Sequence, residues 1–203
     1  MKLHSAKRFF AMIFLAALAL PGWAFNLDDL QTQLQAMPVV RGDFTQKKFL
    51  RSLPQALTSR GTFTLATGKG LLWRARTPIN LDMRITQQGI ARLEPDGTWQ
   101  ASMPRTGSSQ ETDLFLALLS GNTQGLKNNF DITLNGDKTA WQLTMTPHSA
   151  LLKQIFKVIH VSGASLVDTI ELRETQGDRS VLQMLNAQAV QQLTEDEARA
   201  FAN

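Results

Sequence analysis

From Val39 onward apolar residues fall on every second position in one short run after another, and this alternation constrains the chain more than any other feature. The clearest run is Ile79, Leu81, Met83 and Ile85; Phe63 with Leu65, and Leu71 with Trp73, repeat it. A period of two puts such side chains on one face of a β-strand. Turn chemistry separates the runs at Thr67-Gly68-Lys69-Gly70, Gln88-Gly89, Pro95-Asp96-Gly97, Asn135-Gly136-Asp137 and Gln176-Gly177-Asp178. Later runs carry Phe130, Ile132 and Leu134, then Trp141, Leu143 and Met145, then residues 157–161, 166–173 and 180–187. Nine or ten antiparallel strands are predicted, in a meander of hairpins forming one large curled sheet.

Four stretches read as helix instead. Asn26 caps a predicted helix whose Leu27, Leu30 and Leu34 fall three and four apart, with Asp28 and Asp29 in its first turn. Residues 111–120 are helical in propensity and apolar on more than one face, and Gly121 ends them; 149–156 places Leu151, Leu152, Ile155 and Phe156 on neighbouring helical positions. Near the end, Thr194 and Glu197 form a capping-box signature for a short helix.

At the other end, Lys2, Lys7 and Arg8 precede an apolar run from Phe9 to Leu20, closed by Pro21, Gly22, Trp23 and Ala24. This is the layout of a secretory signal peptide, with cleavage expected after Ala24 and a single domain over 25–203. The expected location is outside the cytoplasm. Without the leader, the 21 Lys and Arg and 17 Asp and Glu become 18 and 17. A balance so close to neutral gives no clustered excess for a nucleic-acid backbone. A chain of this length buries an adequate core without disulfides, and the sequence has no cysteine.

Enzyme chemistry needs a constellation that the residues do not supply. There is no Gly-x-Ser-x-Gly and no His-Glu-x-x-His, and Gly68-Lys69-Gly70 lacks the rest of a phosphate-binding loop. Without cysteine, thiol catalysis and thiolate zinc sites are excluded, and no cofactor or metal is expected. His148 and His160 are the two histidines beyond the leader, and both read as structural.

What the chain holds in excess is apolar material beyond one face of one sheet. The predicted helices cover that face, either plugging an ordinary core or enclosing a cavity for an apolar ligand. Met83, Met103, Met145 and Met184 suit either arrangement.

The order Gly42-Asp43-Phe44-Thr45-Gln46-Lys47-Lys48, then Arg60-Gly61-Thr62-Phe63, then Leu71-Leu72-Trp73 through Pro78 resembles the LolA family of periplasmic carriers of outer-membrane lipoproteins. Leu71 through Pro78 looks especially like a divergent branch that accompanies acyl-lipid biosynthesis. The resemblance extends over most of residues 26–200. It implies a mainly β fold with helices: an unclosed antiparallel barrel whose concave face is covered by a helical lid, with acyl chains held between. It further implies a periplasmic, monomeric carrier of acylated lipoprotein or acyl lipid, with membrane donor and acceptor proteins and transient membrane contact. The family's lid-holding arginine, counted back from Trp73, falls near Thr67 or Lys69, and none is carried over. The expected cavity residues are Phe63, Leu65, Trp73, Leu81, Met83 and Ile85 on the sheet, and Phe115, Leu118, Leu119, Leu151 and Ile155 on the lid. The alternatives are a sensor or interaction domain of an envelope regulatory or acyl-lipid system, and an esterase or acyl transferase.

Overall fold

The computed structural model describes residues 25–103 and 109–202; residues 1–24, on which the leader expectation falls, lie outside them. Helix α1 (Leu27–Gln35) leads into six strands, β1 (Val39–Phe49), β2 (Leu57–Ala66), β3 (Gly70–Thr77), β4 (Leu81–Thr86), β5 (Gly89–Leu93) and β6 (Trp99–Met103). Helices α2 (Ser109–Ser120) and α3 (Thr123–Lys127) follow. The rest comprises β7 (Phe130–Asp137), β8 (Ala140–Pro147), α4 (Ala150–Ile155), β9 (Phe156–Gly163), β10 (Val167–Glu174), β11 (Arg179–Val190) and α5 (Glu195–Ala202).

The strands form one antiparallel sheet in the order β6-β5-β4-β3-β2-β1-β11-β10-β9-β8-β7. Two meanders therefore meet at the β1–β11 pair, and β6 and β7 end as free edges on opposite sides of an open sheet. Eleven strands exceed the nine or ten expected, because the short strands flanking Pro95-Asp96-Gly97 carry little alternation. The short α3 also had no sequence signal of its own.

This order dictates the lid. Consecutive β6 and β7 sit at opposite edges, so the connection between them has to cross a face of the sheet. That connection carries α2 and α3, whose Leu114, Leu118, Leu119 and Leu126 join the buried core.

Strand registers show which face is covered. Leu65, Leu71 and Ile85 align across β2, β3 and β4, and Phe63, Trp73 and Met83 form the next row. On the other meander Leu182, Ile170, Val161 and Leu143 align across β11 to β8. All of these belong to one apolar cluster with Leu30 and Leu34 of α1 and Leu152 of α4. The sheet thus turns one apolar face toward the four helices α1 to α4. At the junction of the meanders the β1–β11 register shifts between Arg41 and Asp43, and Asn186 takes φ 52°. Such a bulge bends the strand and sharpens twist.

The opposite face is also covered, though over a small area. Val39, Ala66 and Leu72 are buried on it, and Ala200 of α5 is buried as well. The capping box expected at Thr194 forms: the Thr194 amide donates to Glu197 Oε2 at 2.7 Å, and the Glu197 amide to Thr194 Oγ1 at 3.3 Å. Asn26 caps α1 by the same reciprocal scheme with Asp29.

Candidate functional site

The motif strands build an interlocking aromatic floor. In the antiparallel β1–β2 pair, Gly42 lies opposite Phe63 and Phe44 opposite Gly61. Each Gly-x-Phe thus receives the other's ring over a residue with no side chain. Phe63 lies opposite Trp73 in turn, and Phe44 stacks on Trp73 with centroids 3.6 Å apart and planes 22° from parallel. A Cβ on Gly42 would come within 3.0 Å of the Phe63 ring, so glycine here is a condition for the packing. Phe44 is 1 % exposed and anchors the centre of the covered face.

All six sheet residues expected at a cavity share this face. Phe63, Trp73 and Ile85 are buried in it, while Leu65, Leu81 and Met83 are half-buried and packed against its core. On the lid, Leu118 and Leu119 are buried and Ile155 is half-buried. Leu151 differs: it is 51 % exposed, and its neighbour Leu152 takes the inward position. One residue turns a helix by 100°, and in a six-residue helix nothing else in the pattern selects the face. Phe115 lies on α2, and its side chain is outside the described residues.

Helix α2 rests on the sheet with hollows around it. A recess of about 290 Å³ lies between Leu114, Leu118, Ile155, Phe156 and Leu172, with Lys48, Glu174 and Ser180 around it. A second, of about 260 Å³, runs beneath α2, α3 and α4 against Ala117, Leu126, Phe130 and Leu152. A third, of about 370 Å³ and more polar, lies between Leu116, Ser120 and the β2–β3 turn. Each is at or near the lower limit of ligand pockets, roughly 300 Å³. Leu114 and Ala117 each line two of them, so withdrawing α2 would merge the recesses.

The far end of α2 is tied down. Thr123 donates from its amide (3.2 Å) and its hydroxyl (2.6 Å) to Gln31 Oε1 of α1, and Gly121 at φ 66° packs against Leu34. Helix α1 is held in turn by Gln33, whose amide donates to the Ala164 carbonyl at 2.7 Å; the Trp141 indole donates to the same oxygen at 2.5 Å. Sequence reading passed over Gln31, Gln33, Thr123 and Leu114. Their partners are distant in the chain, and Leu114 alone had a signal, its place in the apolar helix.

Apart from Lys48 and Glu174 at the edge of the first recess, the charged groups of note lie off the apolar face. Glu197 of α5, 5 % exposed, accepts from Arg41 Nε (3.1 Å) and Thr64 Oγ1 (2.7 Å) at one oxygen, and from Arg41 Nη2 (2.6 Å) and the Thr194 amide at the other. Burial pushes this carboxyl up, and these four donors outweigh it, bringing it down to about 2. His160 points out of the apolar core, between the inward Ile159 and Val161, within 3.3 Å of the Thr144 hydroxyl. His148 lies within 3.1 Å of the Asn128 carbonyl, and no three His, Cys, Asp or Glu gather as metal ligands among the described residues.

Comparison with known proteins agrees with this architecture. The chain is similar in fold to MucB in the MucA/MucB complex of Pseudomonas aeruginosa, at 12 % identity over 84 % of this chain and 58 % of that one, with TM-score 0.50. It therefore spans less than two thirds of the MucB chain. A LolA superfamily protein of Nitrosomonas europaea is similar at 7 % identity, over 84 % of this chain and 94 % of that one, with TM-score 0.45. A putative outer membrane lipoprotein-sorting protein domain of Vibrio parahaemolyticus is similar at 9 % identity, over 88 % and 100 %, with TM-score 0.43. No curated protein sequence matches the chain. The family model described as outer membrane lipoprotein carrier protein LolA matches residues 35–199, and the chain belongs to that family.

Proposed function

We propose that this protein is a periplasmic carrier that binds the acyl chains of lipoproteins or related lipids between sheet and lid, without chemistry of its own. The observation that carries the reading is the hollowed seat of α2: an apolar helix laid over an apolar sheet face, flanked by three recesses that share its side chains. Cargo occupies the space that α2 vacates, in contact with Phe63, Leu65, Trp73, Leu81, Met83 and Ile85. Leu118, Leu119 and Ile155 close over it, together with Phe115 on the same lid.

The energetics suit a carrier. A chain of ~15 methylenes resists passage through water by about 12 kcal/mol, at ~0.8 kcal/mol per methylene. Retaining all of that energy would prevent release. Here cargo displaces contacts that α2 already makes with the sheet, so part of the transfer energy goes into opening the lid. Affinity is thereby held to a moderate value and hand-over stays feasible.

The reading is tested by titrating a fluorescent fatty acid into the protein and into Leu118→Asp. Saturable binding that the substitution weakens by roughly tenfold or more supports the carrier, since a charge would sit against the bound chain. Equal binding by both would overturn the lid-and-sheet site.

A further inference from the structure

Of the five large apolar side chains exposed among the described residues, four lie at one end of the sheet. Leu53 belongs to the β1–β2 connection and Leu57 begins β2 beside it, Ile79 belongs to the β3–β4 connection, and Leu151 to α4 between β8 and β9. In an antiparallel sheet of this order those three connections, with the β10–β11 turn, all emerge from the same end. Ile79 is 70 % exposed, the most of any of them. A chance scatter would distribute such residues over both ends and both faces.

These connections form one continuous rim. The Arg51 amide donates to Asp178 Oδ1 at 3.0 Å and Arg51 Nη1 to the Gln176 carbonyl at 2.6 Å, joining the β1–β2 connection to the β10–β11 turn. The Thr175 amide and hydroxyl both donate, at 2.9 Å, to the Ile155 and Lys153 carbonyls, joining that turn to α4. The β3–β4 connection adjoins through the Arg60–Thr77 pairing. The 290 Å³ recess beside α2 opens at this same end, as its lining by Lys48, Ile155 and Glu174 requires.

Four lysines ring the rim. Lys47, Lys48, Lys153 and Lys157 are exposed there and make no ion pair with a described residue. Among the carboxylates of this end Asp82 pairs with Arg76, Glu94 with Arg92 and Glu171 with Arg173, and Asp178 accepts from the Arg51 amide, while the exposed Asp96 and Asp131 have no Lys or Arg partner among the described residues. Glu174, beside the recess, is half-buried.

We propose that this rim is a membrane-docking surface: its exposed leucines and isoleucine enter the interface of a bilayer while the free lysines contact anionic headgroups. Apolar tips ringed by lysines match the two signals that peripheral attachment combines. Docking by this end presents the recess mouth to the bilayer, so an acyl chain passes between them with little exposure to water. The proposal rests on the carrier reading for its purpose, though not for its geometry.

The test is co-sedimentation of the exported protein with vesicles of phosphatidylcholine alone and of phosphatidylcholine with phosphatidylglycerol, alongside fluorescent fatty-acid binding. Binding is expected to the anionic vesicles, and to weaken as salt rises from ~0.15 M to ~1 M. Ile79→Asp with Leu151→Asp should weaken it by roughly tenfold or more, while Leu185→Asp, at the fifth exposed site in the middle of β11, leaves it unchanged. No vesicle binding, or equal loss from Leu185→Asp, overturns the docking surface, as does a rim that captures only a protein partner. Fatty-acid binding is read in the same samples: its absence with vesicle binding intact overturns the carrier and leaves the surface standing.

Discussion

Phe44 lies directly opposite Gly61 across the β1–β2 pair, and its ring extends past that glycine to stack on Trp73 of β3. The motif glycine therefore works through the room it leaves. A Cβ at Gly61 would stand 2.0 Å from the Arg74 carbonyl oxygen, a backbone atom that cannot swing aside.

Gly61→Ala should consequently lower stability by more than about 2 kcal/mol. Gly68→Ala serves as the contrast: nothing lies within 4 Å of its Cβ, and only its φ of 74° resists the change, at about 1 kcal/mol. Urea unfolding of the two variants separates the effects. Equal losses would show that the packing at Gly61 relaxes freely.

Trp73→Ala should lose about 3–5 kcal/mol, the usual range for deleting a buried indole. Phe44→Leu keeps most of the apolar volume and gives up the stacking, so about 1 kcal/mol is expected. The double variant should fall short of the sum, because either change alone already breaks the stack. Strict additivity in thermal or urea unfolding would contradict the contact.

Glu197 makes stability depend on pH in a stated direction. Its carboxyl, held at about 2 in the fold against 4.5 as the ordinary value, stabilises the folded state fully above about pH 4.5. That stabilisation is lost as pH falls from there through about 2. Its size is about 3 kcal/mol, from a shift of some 2.5 pH units at 1.36 kcal/mol each. Glu197→Gln should therefore be less stable than the parent near neutrality, and melting curves of the two should converge as pH approaches 2. Parallel curves down to that pH would show that Arg41 and Thr64 do not sense the charge.

Thr123→Val removes the hydroxyl that donates to Gln31 and tests the tether of the lid. About 1–2 kcal/mol of local stability should be lost, seen as faster amide exchange in α2 and α3 with the sheet strands unchanged. Fatty-acid uptake should quicken in the same variant. Uniform exchange changes throughout the sheet would mean that the α1–α3 bond supports the whole fold.

The sheet was legible in the sequence because one covered face leaves a period of two, as in Leu71 and Trp73 or Leu143 and Met145. Its closure order was not: β1 pairs with β11, and nothing near Val39 announces a partner about 150 residues away. Leu72 shows a second limit. It is 1 % exposed on the face that alternation assigns to solvent, because α5 folds back over β3 from the chain end. The same return brings Arg41 to Glu197. Within the candidate site, the shared face of the six sheet residues followed from alternation alone, whereas Leu151 and Leu152 on a six-residue helix are indistinguishable by period. Ties such as Gln31 to Thr123 depend on how helices are laid across the sheet, which short-range pattern does not encode.

The most direct measurement is native mass spectrometry of the protein, purified with mild handling, followed by lipid extraction. The account predicts a bound acylated species, lost when Leu118 is replaced by Asp while the protein stays folded. A protein that is empty on isolation, and that also fails to take up acylated peptides or fluorescent fatty acids, would contradict it and leave α2 as a permanent plug of the sheet.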